Sequence, residues 1–598
     1  MKRQIPIRIF ALCMALTLAV CGCRMEQDVS DKTSSSTVST AKETSLQKKF
    51  DRYLEKLFKE SIEDDSIQLH YTLKNPERYG IKGKEKLPGM VQDQDMKKET
   101  HKEMEELQKF SYKKLCRRQR FAYDALYDYL KYKEQCEKYP YYKTVLSPTT
   151  GIQAQLPVIF CEYRLNTEED VITYLHLLEQ TAQYFQSVMV YEKEQIKRGL
   201  FMSDDDVDAV VSQIHQYIGA KENNILIETF GERLLGIKNL KKERREVFLK
   251  ENQKIVMEKV LPAYAKLADD LKVLKGNGTN SAGLAGFPKG KSYYKALIQQ
   301  KTGSSKSVSE IIAMAQKDLL SCLYETAKLS KKDPEAYEEY ANLNIKPYTG
   351  NNPQQILLKL QKKMKKDYPE GPQAACDIKY VHSSMEKNAS PAFYMIPAID
   401  SYEQNTIYIN KSQMENFNQL YATLAHEGYP GHLYQNIYYA ARREIPIRYI
   451  LEYPGYSEGW ATYVEAWSYK TVEAGKYTET LSKLNILGMK FNLALCSRID
   501  LAVHYEGWNL EKVKTYLRQF GVSEMKAEKL FHMVVREPAN YLSYYVGYRE
   551  FENLKDYYKE KAGKQYNLKT YHKIILDAGP CSFDILKRRI DETLRMEE

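Results

Sequence analysis

From Phe50 onward, apolar residues recur at the spacing of an α-helix face, and this constrains the fold more than any other feature. Phe50, Tyr53, Leu54 and Leu57 stand at i, i+3, i+4 and i+7, and the pattern returns around residues 104–135, 168–200, 205–218, 222–235 and 243–272. Each stretch buries one stripe only against a partner, so stacked amphipathic helices are expected. The 28 glycines and 20 prolines among 598 residues are too few for a turn-rich β architecture. Strand candidates are confined to Ile378–His382, Phe393–Ile396 and Thr406–Ile409, the last two separated by a polar turn through Asp400 and Asn405. No fixed-period repeat is evident, which argues against a solenoid. The expected fold is mostly α and two-lobed, with a small β-sheet. The break at Gly276-Asn277-Gly278 through Gly283, Gly286 and Pro288 places the boundary between an N-terminal helical lobe, 46–285, and a C-terminal lobe, 286–598.

The first residues are basic at Lys2 and Arg3, apolar from Ile9 to Val20, and then small. That apolar stretch is shorter than the ~20 residues a membrane span needs, so 1–22 reads as an export signal. Val20-Cys21-Gly22-Cys23 resembles a bacterial lipobox, with Cys23 as the lipidated first mature residue and Gly22 the small residue before it. Residues 23–45, polar and rich in Ser and Thr, read as a tether between the membrane and the globular part. Removing Lys2, Arg3 and Arg8 lowers the formal charge of +10 by three, to +7. That excess is diffuse, and runs such as Lys241–Arg245 and Lys362–Lys366 read as solvated helix faces, so no nucleic-acid partner is expected. Seven cysteines remain between Cys116 and Cys581, without C-x-x-C spacing, which favours free thiols over a disulfide framework.

Phe417, Leu420, Tyr421 and Leu424 form a helical stripe leading into Ala425-His426-Glu427-Gly428-Tyr429-Pro430-Gly431-His432. In H-E-x-x-H the two histidines lie about 40° apart round one helix and meet one Zn²⁺. Here the offset is six residues, about 240° on a regular helix, so a shared ion requires a distortion. Pro430 and Gly431 supply one, as a bulge or kink. Beyond them, in Tyr456-Ser457-Glu458-Gly459-Trp460-Ala461-Thr462-Tyr463-Val464-Glu465, the residues Glu458, Thr462 and Glu465 share a face distinct from that of Trp460, Tyr463, Val464 and Trp467. A carboxylate from that face completes a His, His, Glu set with a fourth position open. Glu458 is the expected ligand, with Glu465 its rival or the group that orients a ligand.

The pair H-E-G-Y-P-G-H and E-G-W-A-T-Y-V-E resembles the DUF885 family of bacterial proteins, which is grouped with the zincin-like metallopeptidases. The likeness extends from Phe393–Asn410 to the stretch Tyr571-His572-Lys573 through Gly579. Where family members often carry a further His after the motif, this chain has Leu433. The resemblance implies a zinc site on His426, His432 and Glu458 and peptide-bond chemistry, with Glu427 as the general base towards water. It also marks Tyr544, in Ser543-Tyr544-Tyr545-Val546-Gly547, as similar to the tyrosine of the family motif A-Y-x-x-G. Asp500 and His504, at i and i+4, offer a carboxylate-oriented imidazole as a second candidate donor to an oxyanion. The strand near Tyr408 is a candidate for holding an extended peptide through its main chain. The expectation is therefore a zinc metallopeptidase on the outer face of the membrane. The alternatives are a peptide-binding lipoprotein without catalysis and a hydrolase of a non-peptide amide. Retention of Glu427 favours catalysis.

Overall fold

The computed structural model describes residues 44–597 apart from 91–92, 281, 343–351, 382–385, 387–389, 414–416 and 473–474. The export signal, Cys23 and the tether up to residue 43 lie outside the described residues, as does His382. The chain is mostly helical with one small sheet. The elements that position the site are α1 (Ser45–Ile62), α2 (Arg117–Glu137), α3 (Pro353–Met364), β1 (Ala375–Tyr380), β2 (Ala392–Met395), β3 (Gln404–Ile409), α4 (Phe417–Glu427), α5 (His432–Ala441), α6 (Pro454–Tyr469), α7 (Thr478–Leu501), α8 (Asn540–Ala562) and α9 (Phe583–Glu597).

The helical stripes are buried as their spacing requires. Phe50, Leu54, Leu57 and Phe58 of α1 are all core residues. Thr44 caps that helix in a reciprocal box with Gln47. The cores cut across the expected boundary at 285/286. Residues between Phe50 and Leu130 share one core with residues between Ile356 and Ile590, whereas Tyr141 to Leu271 form a core of their own. A third core joins Leu284 to Cys322 with Phe491 to Val546. The glycine-rich stretch before Leu284 is stitched down, its Leu284 amide donating to His504 Nδ1 at 2.9 Å.

The three strands form one sheet in the order β1-β3-β2, with β1 parallel and β2 antiparallel to β3. Tyr408 therefore lies on the central strand, opposite Lys379 on one side and Phe393 on the other. Both sides of its backbone are taken, which corrects the expectation that this strand accepts a peptide: the edges are β1 and β2. Pairing of the Asn410 amide with the Pro391 carbonyl sets the alternation along β2 and turns the backbone of Tyr394 outward. No described helix is long and apolar enough to cross a membrane.

Candidate metal centre

Helix α4 ends at Glu427 and α5 begins at His432, so the two histidines sit on different helices rather than on one bulged helix. Between them, the chain reverses across Gly428-Tyr429-Pro430-Gly431. A Cβ on Gly431 would stand 1.8 Å from the His426 carbonyl oxygen, so only glycine lets the turn fold this closely onto the end of α4. The Gly431 carbonyl then accepts from the Gln435 amide at 2.9 Å and opens α5. Trp460 of α6 donates its indole N–H to the Pro430 carbonyl at 3.0 Å, fixing the turn to the helix that carries the carboxylates.

His426, His432 and Glu458 each offer a ligand atom, all within 4.8 Å of one another, enough to hold a metal ion. Glu458 Oε2 lies 3.7 Å from His426 Nε2 and 3.5 Å from His432 Nε2. That oxygen is buried and has no hydrogen-bond partner. Glu465 Oε2 lies 3.4 Å from the opposite ring nitrogen, His426 Nδ1, and its other oxygen accepts from the Tyr469 hydroxyl at 3.1 Å. The two carboxylates expected on one face of α6 thus meet different edges of one imidazole. Glu427 is buried within reach of the charges of His426, His432 and Glu458, and Oε2 accepts from the outward-facing Tyr394 amide at 2.9 Å.

The electrostatics are those of three carboxylates crowded around two imidazoles. Burial alone lowers the His426 pKa, but Glu458 and Glu465 outweigh it and push it up to about 10. Burial opposes ionisation of Glu458 too, yet the two imidazoles hold it well below the carboxylate range. Burial raises Glu427 against the pull of His426 and His432. A buried carboxylate oxygen facing two Nε2 atoms could hold a metal ion and matches the donor types of a His, His, Glu site.

Tyr544 joins the cluster from α8. Its ring lies 6.3 Å from that of His426, and burial together with the charges of Glu458 and Glu427 holds its hydroxyl far above the usual phenol value. It is delivered by a backbone-to-backbone crossing of α6 and α8: a Cβ on Gly459 would meet the Gly547 carbonyl carbon at 2.4 Å.

Asp500 and His504 are not brought to the cluster as a pair. His504 accepts from Leu284 N and donates through Nε2 to the Val534 carbonyl at 2.8 Å, and burial lowers its pKa to about 4. Asp500 accepts from the Tyr294 hydroxyl and, through both oxygens, from Ala539 N at 3.1 Å. The physical reason is that both ring nitrogens of His504 are taken by main-chain groups, while Asp500, which meets the same Tyr294, is spent on that hydroxyl and on Ala539 N. Three contributors were not singled out in the sequence: the Tyr394 amide, Tyr469 and the glycine crossing. Tyr469 at i+4 from Glu465 was open to reading, whereas a main-chain amide and a helix crossing leave no local signal.

A family model described as "Bacterial protein of unknown function (DUF885)" matches residues 78–590. The chain belongs to the DUF885 family. No curated protein sequence matches it. Among solved structures, a "putative lipoprotein" from Colwellia psychrerythraea aligns with a TM-score of 0.81 at 17% identity, covering 92% of this chain and 100% of that one. A "putative lipoprotein of unknown function" from Shewanella oneidensis aligns with a TM-score of 0.62 at 15% identity, covering 93% and 100%. At these identities the likeness establishes a shared fold. A "putative oligoendopeptidase F" from Bacillus anthracis reaches a TM-score of only 0.28 at 11% identity and carries no argument.

Proposed function

We propose that this DUF885 chain is a zinc-dependent peptidase, exported and anchored through a lipid on Cys23 to the outer face of the cell membrane. The observation that carries the reading is the unpartnered, buried Glu458 Oε2 facing the Nε2 atoms of His426 and His432, with the buried Glu427 carboxylate within reach of their charges. His426, His432 and Glu458 would hold the ion. When bound, zinc supplies Lewis acidity, making a water molecule acidic near neutral pH and polarising a substrate carbonyl. Glu427, oriented by the Tyr394 amide, accepts the proton of the attacking water and returns it to the leaving amine. The Tyr544 hydroxyl, held protonated by its buried acidic surroundings, donates to the oxyanion that develops on the substrate. Glu465 orients His426 through Nδ1. We assign the extended peptide to the edge of β2, through main-chain groups other than the Tyr394 amide, which is committed to Glu427.

Metal analysis coupled to peptide-library digestion tests the reading. Wild type and Glu427→Gln should each retain one zinc per chain, while cleavage falls by roughly 10²–10⁴-fold in the variant, the usual contribution of a general base. Absence of zinc from both proteins, or undiminished cleavage by the variant, refutes it.

A further inference from the structure

The first described turn of α1 is where the chain arrives from Cys23, and its surroundings are strongly basic. Gln47 donates through Nε2 to the Lys114 carbonyl at 3.2 Å, and Gln119 of α2 donates to the Gln47 carbonyl at 3.1 Å. The corner so joined to α1 exposes Lys113, Lys114, Arg117, Arg118 and Arg120. Helix α9 adds Arg588, Arg589 and Arg595 alongside. Between α2 and α9 lies a surface cavity of about 310 Å³, lined by Arg117, Arg120, Arg589 and Arg595 together with Asp124 and Glu592. Glu592 is shared between Arg117 at 3.4 Å and Arg589 at 3.1 Å, and Asp124 is engaged by Arg588 at 3.2 Å. Burial first, and then the neighbouring Arg117 charge, pull Arg589 below the usual guanidinium value against the opposing pull of Glu592 and Asp577.

We infer that this arginine-lined face rests on the anionic phospholipid headgroups of the membrane to which the chain is tethered. The inference builds on the anchor at Cys23 proposed above. Only about 20 residues separate Cys23 from Thr44, a reach of at most ~70 Å, so the face at the tether's root is held at high effective concentration over the bilayer. Guanidinium groups match phosphodiesters through paired N–H donors, and clustered Lys and Arg are drawn to an anionic leaflet.

Cys116, a free and exposed thiol next to Arg117, is a built-in reporter. The full lipidated chain is mixed at low ionic strength with vesicles of phosphatidylcholine, alone or with phosphatidylglycerol, then floated and treated with a membrane-impermeant maleimide. Labelling of Cys116 should be slowed roughly tenfold on the phosphatidylglycerol vesicles, the weight of one or two basic side chains at a charged surface. High salt should abolish the protection, as should the double variant Arg120→Glu/Arg595→Glu, which still floats through its anchor. Failure to float with phosphatidylcholine counts against the anchor alone. In that case the headgroup proposal still requires salt-sensitive flotation with phosphatidylglycerol vesicles, lost in the double variant. Equal labelling and equal flotation on both vesicle types, or undiminished protection of the variant, overturns it.

Discussion

At the scale of single residues, Glu458 and Glu465 show what a sequence can and cannot carry. Their i, i+7 spacing was legible and put both on one face of α6. Which of them faces the Nε2 atoms depends on how α6 crosses α4, a tertiary fact with no local signature. Glu458 sits between the two Nε2 atoms at 3.5 and 3.7 Å, while Glu465 takes His426 Nδ1 at 3.4 Å, as a carboxylate that orients a metal-binding imidazole does. Glu458→Gln should therefore abolish stoichiometric zinc, whereas Glu465→Gln should keep one zinc per chain with an affinity weakened about 10–100-fold. Competition with a chromogenic chelator measures both. Equal losses in the two variants would mean that both carboxylates ligate the ion. The pairing expected for Asp500 and His504 failed for a reason equally invisible locally, because the main-chain partners of His504, Leu284 N and Val534 O, come from distant segments.

At the scale of elements, the six-residue offset between His426 and His432 already required a break, and Pro430-Gly431 named its place. Sequence alone left open whether one helix bends or two helices meet. The near contact of Gly431 with the His426 carbonyl decides for two helices. A second crossing matters as much. Gly459 directly follows Glu458, and Gly547 lies one turn beyond Tyr544, so the close approach of α6 and α8 sets the distance between that carboxylate and the tyrosine. A methyl group at Gly459 would stand 2.4 Å from the Gly547 carbonyl carbon and must force the helices apart. Overpacking of this kind costs about 1–3 kcal/mol. Gly459→Ala should lower the melting temperature, kcat/KM and zinc affinity together, since Glu458 moves with α6. Unchanged kcat/KM would separate Tyr544 from the chemistry.

At the scale of the whole molecule, helix content was legible in the spacing of apolar residues, but the joining of 50–130 to 356–590 in one core was not, because contacts between distant segments have no periodic trace. The same burial gives the protein a pH dependence separable from the His426, His432 and Glu458 cluster. Burial pushes Glu192 up to about 8, Asp500 to about 7 and Glu537 to about 7. It pulls His504 down to about 4 and His572 to about 3. The signs differ. In the unfolded chain the acids ionise near pH 4, so the stability of holding them neutral is present below that value and is lost as pH rises towards 7 and 8. The histidines act oppositely, losing stability as pH falls from about 6.5 towards 4 and 3, and above pH 6.5 they are neutral in both states and drop out. Between pH 6.5 and 8 the acids alone remain, and the melting temperature of the zinc-saturated protein should fall across that window and level off above it. Glu192→Gln, which keeps the shape and removes the charge, should melt higher than wild type at pH 8 and show a shallower slope. Calorimetric scans of both proteins at constant free zinc provide the measurement, and a melting temperature that is flat or rising from pH 6.5 to 8 would mean that these carboxyls ionise without cost in the fold.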